Sequence, residues 1–338
     1  MDRRDFLERL LWAPALLLPS SCEGGAARGR IRLSFRALGT GVRILLEGRR
    51  GVLPAAAGAV REAFRRGDDL LSPFREESAL AKLCREAARG SARVGPVLGE
   101  FLRASRSAWD ATGGAFDPTV GPLVKSFGIH ASGRIPSREE FLRARSEVGL
   151  EKLEWDPVER ILRFPGPGFS LDPCGAGKGL ILDLAARAAR DAGAESGLLE
   201  AGGDLLAFGP RSFLVAIRAA GVRGGVVRLV RLQEGGLAAS GLGERVLRAG
   251  GRELGHVIDP STGEPMDPED RNVPLTAAAS APSGVLADAL ATGLLVRGAG
   301  GLPALEGIPG AGGLLVFRRN GGGFRLEKGG AFPGIRNL

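Results

Sequence analysis

The apolar periodicity changes character part-way along the chain, and no other feature limits the possible folds as much. Up to about residue 150 the spacing is helical. Pro54 opens a helix over 54–66, residues 76–88 and 99–111 repeat the three-to-four-residue spacing, and Ser137 ahead of Glu139 and Glu140 caps another helix. From Leu153 onward strand-like runs take over, near Ile161, Phe169, Leu198 and Leu205 and over 213–217, 226–232 and 254–258. Helices over 178–192 and 285–296 interrupt them, and strands over 313–317 and 324–326 close the pattern. An earlier strand pair, 31–35 and 42–46, flanks a turn at 38–41. Helices and strands that segregate instead of alternating predict an α+β fold with antiparallel or mixed sheets. No fixed-period repeat and no low-complexity linker divides residues 31–338, which read as one compact unit.

The N-terminus falls outside that unit. Arg3-Arg4-Asp5-Phe6-Leu7 precedes an apolar stretch over 10–19, then Ser20-Ser21-Cys22. That stretch is about half the roughly 20 residues a bilayer span needs, so 1–21 reads as an export signal of the twin-arginine kind. Cys22 is then the lipid-attachment site and 22–30 a linker. The expected location is exported, periplasmic or extracytoplasmic, with membrane contact only through that anchor.

Charge and composition remove other classes. The 46 basic and 38 acidic residues leave a net +8, but the signs are mixed along the helices without a run of five like charges, so no nucleic-acid partner is expected. An apolar content of 44% excludes global disorder, and 54 glycines and 21 prolines without a Gly-X-Y period exclude collagen. Two histidines and no tyrosine leave few candidates for proton transfer. Cys84 and Cys174 are too few for a disulfide framework.

Five segments carry candidate chemistry. Gly113-Gly114 and Asp117-Pro118 end a helix, where a ligand can approach the backbone or Asp117 can cap a turn. Asp172-Pro-Cys-Gly-Ala-Gly-Lys-Gly179 runs from a strand into a helix, pointing backbone N–H groups and Lys178 at an anion, without the spacing of a P-loop. Gly202-Gly203-Asp204 suits a diphosphate against main chain, or a plain hairpin turn. His256 precedes the Asp259-Pro260 turn and can take a proton near neutral pH, or be structural. Asp288 and Thr292, four apart, share one face of an otherwise apolar helix. A carboxylate with a hydroxyl suits Mg²⁺; the alternative is a threonine bonded back to its own helix.

Taken in order, these segments resemble a known family. Ala-Leu-Gly-Thr at 37–40, Gly-Gly-Ala-Phe-Asp-Pro-Thr-Val-Gly-Pro-Leu at 113–123, Gly-Lys-Gly at 177–179, Gly-Gly-Asp at 202–204, Ser240-Gly241, His-Val-Ile-Asp-Pro-Ser-Thr-Gly at 256–263 and Ala-Asp-Ala-Leu-Ala-Thr at 287–292 are similar to the FAD:protein FMN transferases of the ApbE type. The resemblance spans about 31–320 and implies a T-fold-like α+β unit. It also implies transfer of FMN from FAD to a Thr or Ser hydroxyl of a target protein, with Mg²⁺ required and AMP released. The partners it implies are FAD and an exported redox protein carrying the acceptor. By the same resemblance the metal lies among Asp288, Thr292 and a backbone carbonyl at Gly177. His256 is the general base, with Asp259 in the same signature. Thr40, Phe74, Gly114, Asp117, Asp172, Lys178, Gly202, Gly203, Asp204, Ser240, Glu244 and His256 form the FAD site.

The chain departs from the family wording at Leu38, Phe74, Ala79, Ala81, Cys84, Gly243 and Pro173-Cys174. Two further readings use the same residues: a Mg²⁺-dependent FAD pyrophosphatase, with water as nucleophile, and a non-catalytic FAD-binding lipoprotein.

Overall fold

Why the middle of this chain forms strands is clearest from its hairpins. In the computed structural model, which describes residues 27–73, 75–222, 225–242, 246–319 and 321–336, β1 (Arg28–Ala37) and β2 (Thr40–Arg49) pair antiparallel. Ala37 faces Thr40, so Leu38-Gly39 is a two-residue turn with positive φ at both positions. The strand begins at Arg28, three residues inside the expected linker. The export segment with Cys22, and also Phe74 and Glu244, lie outside the described residues.

Helix α1 (Leu53–Leu71) carries proline in its first turn, and α2 (Ala79–Ala87) is capped by Ser78, whose hydroxyl accepts from Ala81 N at 3.2 Å. Helix α3 (Pro96–Thr112) stops at Gly113 in the left-handed conformation. A 3-10 turn at Pro118–Val120 leads into the short α4 (Gly121–Ser126), and α5 (Arg138–Ser146) starts from the expected capping box of Ser137 and Glu140. Three short strands, β3 (Ala92–Arg93), β4 (Glu154–Asp156) and β5 (Ile161–Arg163), make a small sheet of their own. Then come α6 (Gly177–Asp191), β6 (Ser196–Ala201), β7 (Asp204–Phe208), β8 (Phe213–Arg218), β9 (Val226–Leu232) and β10 (Gly235–Gly241). The hairpin β11 (Val246–Ala249) and β12 (Arg252–Gly255) precedes β13 (Thr276–Ala281), α7 (Gly284–Arg297), β14 (Gly312–Arg318), β15 (Phe324–Gly330) and β16 (Ile335–Arg336).

The main sheet has eight strands in the order β1-β2-β6-β7-β10-β13-β14-β15, antiparallel at every step. Both of its faces are covered, and the two-residue period sends alternate side chains to different cores. Ile44 and Leu46 of β2 join Phe64, Phe101, Leu180 and Leu290 from the helices, while Leu45 between them joins Leu198, Val215, Ile217 and Val230 beneath the three-stranded sheet β16-β9-β8. The α+β expectation is met.

Two central strands escape the periodicity. β10 reads Gly-Gly-Leu-Ala-Ala-Ser-Gly and β13 Thr-Ala-Ala-Ala-Ser-Ala, compositions of poor strand propensity. Their smallness is what α7 needs to lie close. A Cβ on Gly236 would stand 2.8 Å from Gly284 Cα and 3.0 Å from Ala287 Cβ. Helix α7 is correspondingly apolar on nearly every side, as a helix enclosed by other elements must be. Phe169, expected in a strand, instead packs as an irregular core residue against Phe164 at 6.2 Å between ring centroids. The strand expected over 254–258 ends at Gly255, and Ile258 makes only an isolated bridge to Pro265. No described helix is long and apolar enough to cross a membrane.

Candidate active site

The N-terminus of α6 and the middle of α7 face one another because glycine removes every obstacle between them. A Cβ on Gly284 would stand 2.6 Å from Gly179 O, so the two backbones are in direct contact. Asp183 of α6 holds the first turn of α7, accepting from Gly284 N at 2.7 Å and Val285 N at 2.9 Å. One turn further along α7, Asp288 Oδ2 accepts from Gly179 N at 3.1 Å. The spacing that put Asp288 and Thr292 on one helical face thus aims both at the start of α6.

Lys178 completes this arrangement. Its Nζ lies 3.0 Å from Asp204 Oδ2 and 3.5 Å from Asp288 Oδ1. Both carboxylates are almost fully buried, whereas 31% of the lysine side chain remains exposed to the cleft. Burial works against the ammonium, but the two carboxylates override it and hold Lys178 above its ordinary range. Burial and the Asp288 charge push Asp204 up to about 7, against the pull of Lys178. The result is a fixed cation at the mouth of a cleft, with acidic groups behind it.

That cleft holds a cavity of about 120 Å³. Asp172, Lys178, Gly202, Ser240, His256, Asp288 and Thr292 all line it, as do His130 and Cys174. The hydroxyls of Ser240 and Thr292 lie 3.1 Å apart, and Thr292 Oγ1 is 3.5 Å from Gly175 O. The main-chain oxygen beside Thr292 is therefore that of Gly175, not of Gly177, which is the first residue of α6. A carboxylate, two hydroxyls and a carbonyl make a hard oxygen donor set of the kind Mg²⁺ takes.

Other expected residues have different duties. Asp117 is buried with both oxygens engaged: Oδ1 accepts from Thr119 N and Oγ1 at 2.8 and 2.6 Å, and Oδ2 from Leu150 N at 3.0 Å. Burial raises its pKa, and its work is to pin the 3-10 turn beneath the cleft. Asp259 Oδ1 accepts from Ser261 N and Oγ at 2.8 and 2.7 Å, which closes the turn after His256. Asp259 and Gly114 line an adjoining groove and not the cleft with Lys178. Thr40 and Gly203 line a second cavity, which meets the first at Gly202 and Ala239. Gly202 and Gly203 form the two-residue turn between β6 and β7, with φ of 59° and 95° that only glycine accepts easily. Glu200, which the motifs did not single out, steadies that turn by accepting from Gly203 N at 3.1 Å and Arg43 Nε at 2.7 Å. Asp183, Glu200 and His130 were invisible as site residues because their partners lie 101, 157 and 42 positions away. Cys84 and Cys174 are both free thiols, one buried and one exposed.

Comparison with known proteins identifies the family. The ApbE family profile matches residues 38–310. The FAD:protein FMN transferase of Rhodobacter capsulatus is 34% identical over 218 residues, 63% of this chain and 40% of that one, so the match spans less than half of that relative. The enzyme of the same name from Escherichia coli K12 is 30% identical over 241 residues, 68% of each chain. Among solved structures, the ApbE protein of Thermotoga maritima gives a TM-score of 0.76 at 29% identity, covering 90% of this chain and 98% of that one. The flavin transferase ApbE of Vibrio cholerae gives 0.76 at 22% identity, covering 90% and 99%, which is a likeness of fold. With residues 38–310 matched by the family profile, the chain belongs to the ApbE family.

Proposed function

We infer that this protein transfers the FMN half of FAD onto a Thr or Ser hydroxyl of a target protein, making a phosphoester and releasing AMP. The observation that carries the reading is the convergence of Lys178, the Asp288–Thr292 pair and His256 on one cleft. Attack on a diphosphate needs charge neutralisation and alignment more than covalent help. Lys178, held charged by Asp204 and Asp288, is placed to neutralise phosphoryl oxygens. His256 takes the proton of the acceptor hydroxyl as its oxygen bonds to the FMN-side phosphorus. The bond from that phosphorus to the bridging oxygen breaks, and AMP leaves with that oxygen. Mg²⁺, held by Asp288, Thr292, Ser240 and the Gly175 carbonyl, would supply further neutralisation of the diphosphate. Incubation with FAD, Mg²⁺ and an acceptor protein should produce a fluorescent covalent adduct that survives denaturing electrophoresis. Free FMN and AMP at the same rate without acceptor would overturn the reading in favour of hydrolysis.

The target is read as an exported redox protein, and the enzyme as exported and lipid-anchored at Cys22. What supports this is the Arg3-Arg4 signal and its short apolar run. The intact mass of the mature protein should begin at a diacylated Cys22; an unprocessed Met1 would refute it.

A further inference from the structure

Beside the Lys178 cation, three side chains from two separate loops meet in a way that flavin transfer does not use. His130 follows α4, while Asp172 and Cys174 flank Pro173 in the irregular turn before α6. His130 Nε2 is 2.6 Å from Asp172 Oδ2 and 3.5 Å from Cys174 Sγ, and the three ligand-type atoms all lie within 4.8 Å of one another. Cys174 N donates to Asp172 Oδ1 at 2.8 Å, which locks the two ends of the turn into this relation.

A proton relay would need the carboxylate and the thiol on opposite ring nitrogens. Here both face the same Nε2, so the three groups converge on a point. We propose that His130, Asp172 and Cys174 form a binding site for a thiolate-preferring divalent cation of the Zn²⁺ class, separate from the oxygen donors around Asp288. Tetrahedral zinc, with bonds of about 2.3 Å to sulfur and 2.05 Å to nitrogen, sets those two atoms about 3.5 Å apart, which is their separation here. The same geometry sets nitrogen and a carboxylate oxygen about 3.4 Å apart, so the 2.6 Å between His130 Nε2 and Asp172 Oδ2 must open by under an ångström to admit the ion. Sulfur and imidazole select zinc-like ions over Mg²⁺, so the two sites sort different metals. All three side chains line the cleft, so the fourth coordination position opens into it and the site is of the open, three-ligand kind.

The test is independent of flavin transfer. Titrating the protein with Co²⁺ in excess Mg²⁺ should give one equivalent with a sulfur-to-cobalt charge-transfer band in the near ultraviolet and visible bands of tetrahedral type. Cys174→Ser should abolish the charge-transfer band, and His130→Ala should weaken Zn²⁺ binding at least tenfold in competition with a chromophoric chelator. Asp288→Asn should leave both unchanged. Absence of the band, its persistence in Cys174→Ser, or equal zinc affinity of His130→Ala and wild type would each overturn the proposal. Cys174 is exposed, so the serine variant keeps the fold and a lost band reports the ligand.

Discussion

Replacing Gly179 by alanine asks whether the contact between α6 and α7 sets the site. A Cβ at that position would overlap the Gly284 carbonyl and stand 2.7 Å from Val285 N, where ordinary contact begins at 3.4 Å. Neither neighbour is a flexible side chain, so α7 must retreat by about an ångström, an overpacking strain of about 1–3 kcal/mol. Asp288 lies one turn beyond Gly284 and moves with it, stretching its 3.1 Å bond from Gly179 N and its 3.5 Å approach to Lys178. Misplacement on that scale costs about 10²-fold in turnover, because aligned groups lose their effective concentration. Gly58 supplies the control: it is exposed in α1 with nothing within 4 Å of its hypothetical Cβ, so Gly58→Ala should stabilise by up to about 1 kcal/mol. Thermal melts and adduct-formation rates read both effects. If Gly179→Ala kept wild-type turnover and melting temperature while Gly58→Ala behaved as described, the helix contact would not be what positions Asp288.

His256→Ala should lower kcat by roughly 10²–10⁴-fold while FAD binding, followed by flavin fluorescence, stays within about twofold; equal loss of both would move His256 to a binding role. Asp204 titrates near 7 in the folded chain against 3.8 ordinarily, so its stabilising contribution is whole below about pH 4 and is lost as pH rises through 7. With chelator present, the denaturation midpoint of wild type relative to Asp204→Asn should therefore fall between pH 4 and 7.5, and a flat difference would refute the assignment. Asp183→Ala removes two bonds to the first turn of α7 and should cost about 1–2 kcal/mol in denaturant melts, with Mg²⁺ activation weakened because Asp288 rides on that helix; an unchanged midpoint would show the cap to be dispensable.

What local chemistry controls was legible in advance. The capping box at Ser137 and Glu140, the helix stop at Gly113 and the alternation of β2 each depend on residues a few positions apart. The four-residue spacing of Asp288 and Thr292 fixed their common face, and the glycine-rich turn put Lys178 at a helix start, though no strand precedes that turn. The ordered motifs then identified the family.

Composition misled where burial on both faces replaced propensity. β10 and β13 are strands because α7 covers one side of the sheet and a second sheet the other, leaving room only for small side chains. Asp117 and Asp259 stood in the right motifs, yet their carboxylates are spent on neighbouring N–H and O–H groups, which spacing alone could not distinguish from ligand contacts.

By itself the sequence determined which short segments are chemically equipped, because capping, turn formation and helical spacing act over a handful of residues. Only the tertiary structure decided which of them meet. Lys178 with Asp204 and Asp288, Asp183 with the start of α7, and His130 with Cys174 are joined across 26 to 110 positions by the packing of two helices on a sheet, and nothing local in any one segment encodes its partner.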